Sequence, residues 1–148
     1  MRPAANAFVL IGWLAVGLVA AQPLDATDPP VTLIVHPSRA GKLTAAEVRA
    51  IYLKQKRFWS SGAAIVPINR EAGSVARELF SQRLFGQDSR RAAAYWNQRY
   101  FEAGEFPPAT LASDEAVLRF VAGNPNAIGY VTLDDVGDSV SVALTLSS

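Results

Sequence analysis

The residues best suited to chemistry lie in the stretch Val66-Pro-Ile-Asn-Arg-Glu-Ala-Gly-Ser-Val-Ala-Arg-Glu-Leu-Phe80. It reads as a short apolar strand, a turn carrying Arg70, and Gly73-Ser74 opening an amphipathic helix. A helix start offers unpaired N–H groups and about half a positive charge, so an oxyanion is stabilised there. Arg70 adds a planar fork that matches two oxygens of a phosphate, sulfate or carboxylate. Gly73 and Val75 flank Ser74, so the candidate ligand-binding set is Arg70, Gly73, Ser74 and Val75. The same residues also allow a plainer reading, in which Ser74 is a routine helix N-cap and Arg70 a solvated turn residue.

Other candidates carry less. His36 is the single histidine and follows a predicted strand, where it could face the same crevice as Ser74. A Ser–His nucleophile pair would need an orienting acid and a G-x-S-x-G elbow, and neither is identifiable in the sequence. One histidine and no cysteine argue against a zinc site. We therefore expect no catalytic residues, no metal and no cofactor, and do not expect an enzyme. Lys54-Gln-Lys-Arg-Phe-Trp59 mixes bases with aromatics, as nucleic-acid binders do, but it reads more simply as a loop with Trp59 on the core. Arg90, Arg91 and Arg99 read as the solvated face of an amphipathic helix.

The elements that must position the candidate site start after an export signal. Arg2 is a short positive n-region, Phe8 to Val19 an apolar h-region, and Val19-Ala20-Ala21 a small-residue cleavage site. Residues 1–21 are thus expected to be a signal peptide. The rival reading, an uncleaved anchor, suffers because the apolar run is shorter than the ~20 residues that span a bilayer. With no cysteine, a lipid-attachment site is not expected, nor a disulfide framework, and the destination is the periplasm. Removing the first 21 of 148 residues leaves 127, enough for one domain with one core. The whole chain has a formal net charge of +1, and Arg2 is the one charged residue removed. A near-neutral domain gives no general reason to bind nucleic acid.

Residues 22–30 read as a flexible tether, and residues 31–148 as the folded unit. Val31 to His36 is a near-continuous apolar run between prolines, the mark of a buried strand. Thr44-Ala-Ala-Glu47 is a capping box opening a helix to about Leu53, with Val48, Ile51 and Tyr52 inward. Ala64 to Asn69 is a second strand, whose Pro67 implies an edge, a bulge or a non-bonding side. The helix from Ser74 turns Val75, Leu79, Phe80 and Leu84 inward and ends at Gly86. Ser89 caps the next, which carries Ala93, Trp96 and Tyr100 on one face. Ser113 caps a last helix with Asp114 and Glu115 in its first turn and Val117, Phe120 and Val121 inward. Ala127 to Val131 is a third strand, and Val140, Val142, Leu144 and Leu146 alternate in a fourth. Strands at both ends with helices between them give a three-layer α/β domain with a mixed sheet.

The order Leu43 to Leu53, Phe58-Trp59-Ser-Ser-Gly62, Ile65 to Ser74, Tyr95-Trp96 and Ala127-Ile-Gly-Tyr-Val131 resembles phosphate-type periplasmic binding proteins. That family carries an R-x-x-G-S-G-T loop at a helix start and a later a-I-G-Y strand. The resemblance implies a single lobe of the type II periplasmic-binding-protein-like fold. It assigns anion-binding roles to Arg70 and Ser74. Where the family has Gly-Thr after the serine this chain has Val75-Ala76, and Leu53-Lys-Gln-Lys56 replaces the family's x-G-k turn. Such receptors clamp the ligand between two lobes, and this chain is long enough for one, as in small single-lobe relatives of phosphate transporter substrate-binding proteins. A lone open lobe would hold its anion with a Kd of about 0.1–1 mM. The expected partners are accordingly phosphate or a similar oxyanion, a partner lobe or homodimer, and a membrane transporter or sensor. The alternative is a non-catalytic periplasmic interaction module that keeps the fold but not the ligand.

Overall fold

The computed structural model describes residues 28–148, so the expected signal peptide and all but the last three residues of the expected tether lie outside the described residues. Five strands and four helices follow in the order β1 (Val31–Val35), α1 (Ala45–Tyr52), β2 (Val66–Arg70), α2 (Val75–Phe85), α3 (Ser89–Ala103), β3 (Ala109–Leu111), α4 (Asp114–Gly123), β4 (Ala127–Val131) and β5 (Ser141–Leu146). The sheet order is β3-β2-β4-β1-β5. β2 runs parallel to β3 and β4, whereas β1 is antiparallel to both β4 and β5. The expected mixed sheet between helical layers is what forms.

Each face of the sheet has its own core. Val31, Leu33 and Val35 of β1 join Ile128 and Tyr130 of β4 under α1 and α2. Ile34, Ile68 and Val131 point the other way, against Val117 and Val121 of α4. This two-sided burial explains why β1 and β4 are continuous apolar runs rather than alternating ones. Gly129 lets α4 sit close: a Cβ there would lie 2.5 Å from Val117 Cγ1.

Local signals are met where neighbours decide them. The Thr44 hydroxyl accepts from the Glu47 N–H at 3.2 Å while the Glu47 carboxylate accepts from the Thr44 N–H at 2.9 Å, completing the capping box. Ser74 and Ser113 cap α2 and α4. Asp88, not Ser89, caps α3, its carboxylate accepting from the Arg91 N–H at 2.9 Å. Pro67 is tolerated inside the sheet because β3 pairs only with Ile68 to Arg70, leaving Pro67 beyond its end.

Several expectations need correction. β2 extends through Arg70, so this residue ends a strand rather than occupying a solvated turn. Helical spacing turns Phe120, Tyr100 and Val75 inward, yet all three are exposed. A bulge against Leu33/Ile34 makes Ala143 an extra residue in β5. It breaks the simple alternation, sending Val140 to the α4 face and Leu144 and Leu146 to the α1–α2 face. The short strand β3 has no counterpart in the sequence reading.

Candidate functional site

The parallel pairing of β2 with β4 brings two helix starts to one end of the sheet. α2 begins just after β2, and α4 begins beside the residue that follows β4, Thr132. Their first turns line a cleft of about 280 Å³ together with Arg70 and Thr132. Ser74 and Val75 are in its wall, and Gly73 stands just outside, in the turn before α2. Gly73 has φ +83°, a conformation that L side chains rarely adopt, which explains glycine at that position.

First-turn amides have no partner inside their helix. The Ser74 hydroxyl accepts from the Arg77 N–H at 3.2 Å and donates to the Glu71 carbonyl at 3.0 Å. The Ser113 hydroxyl accepts from the Ala116 N–H at 3.0 Å. The first-turn residues Val75, Ala76, Asp114 and Glu115 line the cleft, and two helix dipoles add positive potential there.

Arg70 is buried, with 8% of its surface exposed. Each of its three nitrogens is engaged. Nε donates to Glu71 at 2.9 Å and Nη2 to the same carboxylate at 3.1 Å, while Nη1 donates to Asp114. The other Asp114 oxygen accepts from the Thr132 N–H and hydroxyl, both at 3.0 Å. Burial acts to lower the Arg70 pKa, but the Glu71 bonds and the Asp114 charge outweigh it and raise it. The hydrogen bond from Arg70 holds the Glu71 carboxyl below its ordinary value. Behind the fork, Asn69 accepts from the Arg70 N–H at 3.0 Å and from the Tyr130 hydroxyl. Tyr130 is itself stacked on Phe80 at 3.9 Å between ring centroids. The guanidinium is therefore held rigidly at the mouth of the cleft.

Asp114, Glu71, Thr132, Tyr130 and Asn69 complete this arrangement, and the sequence reading singles out none of them as a site residue. Asp114 is legible as a first-turn acid of α4, but its meeting with Arg70 depends on β2 lying beside β4. His36 does not share the cleft. β1 is antiparallel to β4, which carries His36 to the opposite end of the sheet from Thr132. There its Nδ1 accepts from the Ser38 N–H at 3.1 Å, an N-cap for a short 3-10 turn. Trp59 packs against the core beneath Arg39 as expected, its indole donating to the Asn126 carbonyl at 3.0 Å. Among the described residues no group of three potential metal ligands comes together.

The mixed sheet flanked by helices has the fold of phosphate-type substrate-binding proteins. The solved structures similar to this chain are of that kind. An ABC-type phosphate transport receptor from Vibrio cholerae matches over 79% of this chain and 47% of its own, at 19% identity and a TM-score of 0.61. A protein assigned as a phosphate ABC transporter substrate-binding protein from Clostridium perfringens, solved with bound phosphate, matches over 79% and 46%, at 27% identity and a TM-score of 0.58. PstS from Borrelia burgdorferi matches over 79% and 48%, at 17% identity and a TM-score of 0.57. This chain thus spans about half the length of the structures it matches. No protein-family model and no curated protein matches the sequence.

Proposed function

We propose that this chain is an exported, non-enzymatic lobe that binds phosphate or a related oxyanion in the cleft between the starts of α2 and α4. One observation carries the reading: two helix N-termini converge on a rigidly held, buried guanidinium. The ligand would take hydrogen bonds from Arg70 and from the amides around Ser74 and Val75, with Gly73 shaping the approach. In this lobe the Asp114 carboxylate already occupies one arm of the Arg70 fork. The cleft also holds Glu115, and Glu71 stands against the same guanidinium. An incoming oxyanion meets these carboxylates as competitors and as like charges, so affinity is weak unless a second lobe, a second copy or a transporter-side partner adds donors. Periplasmic location and a link to phosphate uptake or sensing belong to the same proposal.

Calorimetric titration with phosphate and sulfate tests it, with Arg70→Gln as control. Saturable heat at millimolar anion that vanishes in the variant supports the proposal. An isotherm without saturable heat at about 10 mM, far above the weakest Kd expected for such a site, refutes it.

A second reading, the interaction module, is favoured by a different feature. Tyr100, Phe101 and Phe106 are exposed, and Tyr100 touches both phenylalanines, with ring centroids 5.7 and 5.2 Å away. Exposed apolar clusters of this kind mark contact surfaces. On this reading phosphate gives no heat, and Phe101→Ser with Phe106→Ser abolishes association with the protein partner.

A further inference from the structure

A second cavity, of about 310 Å³ and partly open to solvent, lies on the other face of β2, bordered by α1, α2 and α3 and by Asn69 and Pro108. It is separate from the oxyanion cleft: Asn69 and Arg70 are neighbours, but they serve opposite faces of the strand. Five rings form its walls: Tyr52, Phe80, Phe85, Tyr95 and Trp96. Its polar groups are chiefly donors, and no Asp or Glu lines it.

Several of those donors have capacity to spare, and Ser81, 3% exposed, lines the cavity beside them. Arg49 uses Nε on the Leu84 carbonyl at 2.9 Å, which leaves its two terminal nitrogens available. Arg77 spends Nη1 on the Arg70 carbonyl at 3.2 Å and has donors left over. The Asn69 side-chain oxygen is taken by the Tyr130 hydroxyl and the Arg70 N–H, so the amide NH₂ is the group with donors to spare. With two guanidiniums and no carboxylate along its wall, the cavity suits a guest that accepts hydrogen bonds.

We infer that this cavity binds a small aromatic anion, a planar ring of one or two fused cycles bearing a carboxylate. The half-buried rings of Phe85 and Tyr95 would take the aromatic part, and Arg49 and Arg77 would take the carboxylate. The volume stands at the lower end of small-molecule sites, about 300–1,000 Å³, and so suits a ligand of this size. A neutral ring would leave the guanidiniums unanswered, and phosphate alone would leave the aromatic walls empty. The inference is independent of the oxyanion reading, since it uses neither Ser74 nor the Arg70 fork.

The test is calorimetric titration of the purified protein with 2-naphthoate, its neutral isostere 2-naphthamide, and inorganic phosphate. The expected result is one saturable naphthoate site with a Kd of about 0.1–1 mM, and naphthamide weaker by about tenfold. Arg49→Gln should weaken naphthoate about tenfold. Ser81→Leu, which pushes a branched side chain into the cavity, should abolish naphthoate binding. Both variants should leave any phosphate heat unchanged, so failure here and failure of the oxyanion reading are told apart. Thermal melts confirm that each variant is folded, and if Arg49→Gln is not, Ser81→Leu decides alone. Equal affinity for the acid and the amide, an absence of saturable naphthoate heat, or naphthoate binding that survives Ser81→Leu overturns the inference.

Discussion

Replacing Asp114 by Asn should tighten oxyanion binding while weakening the fold. The Asp114 side chain is 12% exposed and its partner Arg70 10%, so the pair is well shielded from water. Removing one charge from such a pair costs up to about 3–5 kcal/mol when the partner is stranded. Arg70 is not stranded, because Glu71 still holds Nε and Nη2. The amide that replaces the carboxylate would keep an oxygen able to accept from the Thr132 N–H. The expected loss of stability is therefore about 1–3 kcal/mol. The gain in affinity follows from Coulomb repulsion. A negative charge roughly 5 Å from a bound monoanion costs about 1–3 kcal/mol for effective dielectric constants between about 80 and 20. Its removal should lower the Kd about 5- to 150-fold. Calorimetry with phosphate and sulfate at two ionic strengths measures this directly, beside a denaturant melt for stability. A folded Asp114→Asn protein whose affinity is unchanged or weaker would refute the account, because Asp114 would then not be the ligand's competitor.

Gly129→Ala should destabilise by about 1–3 kcal/mol, because the new methyl would stand 2.5 Å from Val117 Cγ1 in a filled core; a urea titration reads it, and a neutral result would mean that α4 shifts freely. Acid should weaken the fold in a defined window. Hydrogen bonds from Arg70 to Glu71, from Arg99 to Glu105 and from the Thr44 N–H to Glu47 hold these carboxyls below their ordinary 4.5. A depressed folded-state pKa contributes stability that is present above 4.5 and is lost as pH falls through the folded values, so the melting temperature should drop progressively as pH falls below 4.5. Glu71→Gln should flatten part of that drop, and an unchanged acid profile would show that the Arg70–Glu71 contact does not persist in solution.

What could be read from the sequence was decided by near neighbours. Thr44 and Glu47 are three residues apart, Ser74 and Ser113 each cap an amide three residues on, and Gly86 ends α2 as a C-cap does. The apolar runs at Val31 and Ala127 announce buried strands because both faces of the sheet are covered. What could not be read depends on distant partners. Arg70 and Asp114 are 44 residues apart, and they meet only because β2 and β4 are adjacent and parallel. The displaced register of β5 follows from a bulge against β1, far away in sequence, so alternation alone assigns its faces wrongly. Val75 obeys helical spacing yet is 65% exposed, since the first turn of α2 projects past the core into the cleft region.

The same charges that would limit affinity for an oxyanion make an open lobe viable. A guanidinium with 8% of its surface exposed cannot stand unpaired, because several kcal/mol of desolvation would be uncompensated. If the fork waited for a ligand, the fold would be stable only when loaded, gaining RT ln(1 + [L]/Kd) from it. Glu71 and Asp114 remove that dependence by supplying the anionic oxygens internally. An external oxyanion then gains only the difference between its own bonds and those of the carboxylate it displaces. That difference is small in a cleft open to water and grows when a second surface excludes water and adds donors. The Asp114–Arg70 contact thus acts as the quantity against which any partner lobe must be measured. A partner that raises affinity only in the wild type, and not in Asp114→Asn, works by drawing Asp114 away. One that raises both equally works by adding contacts of its own.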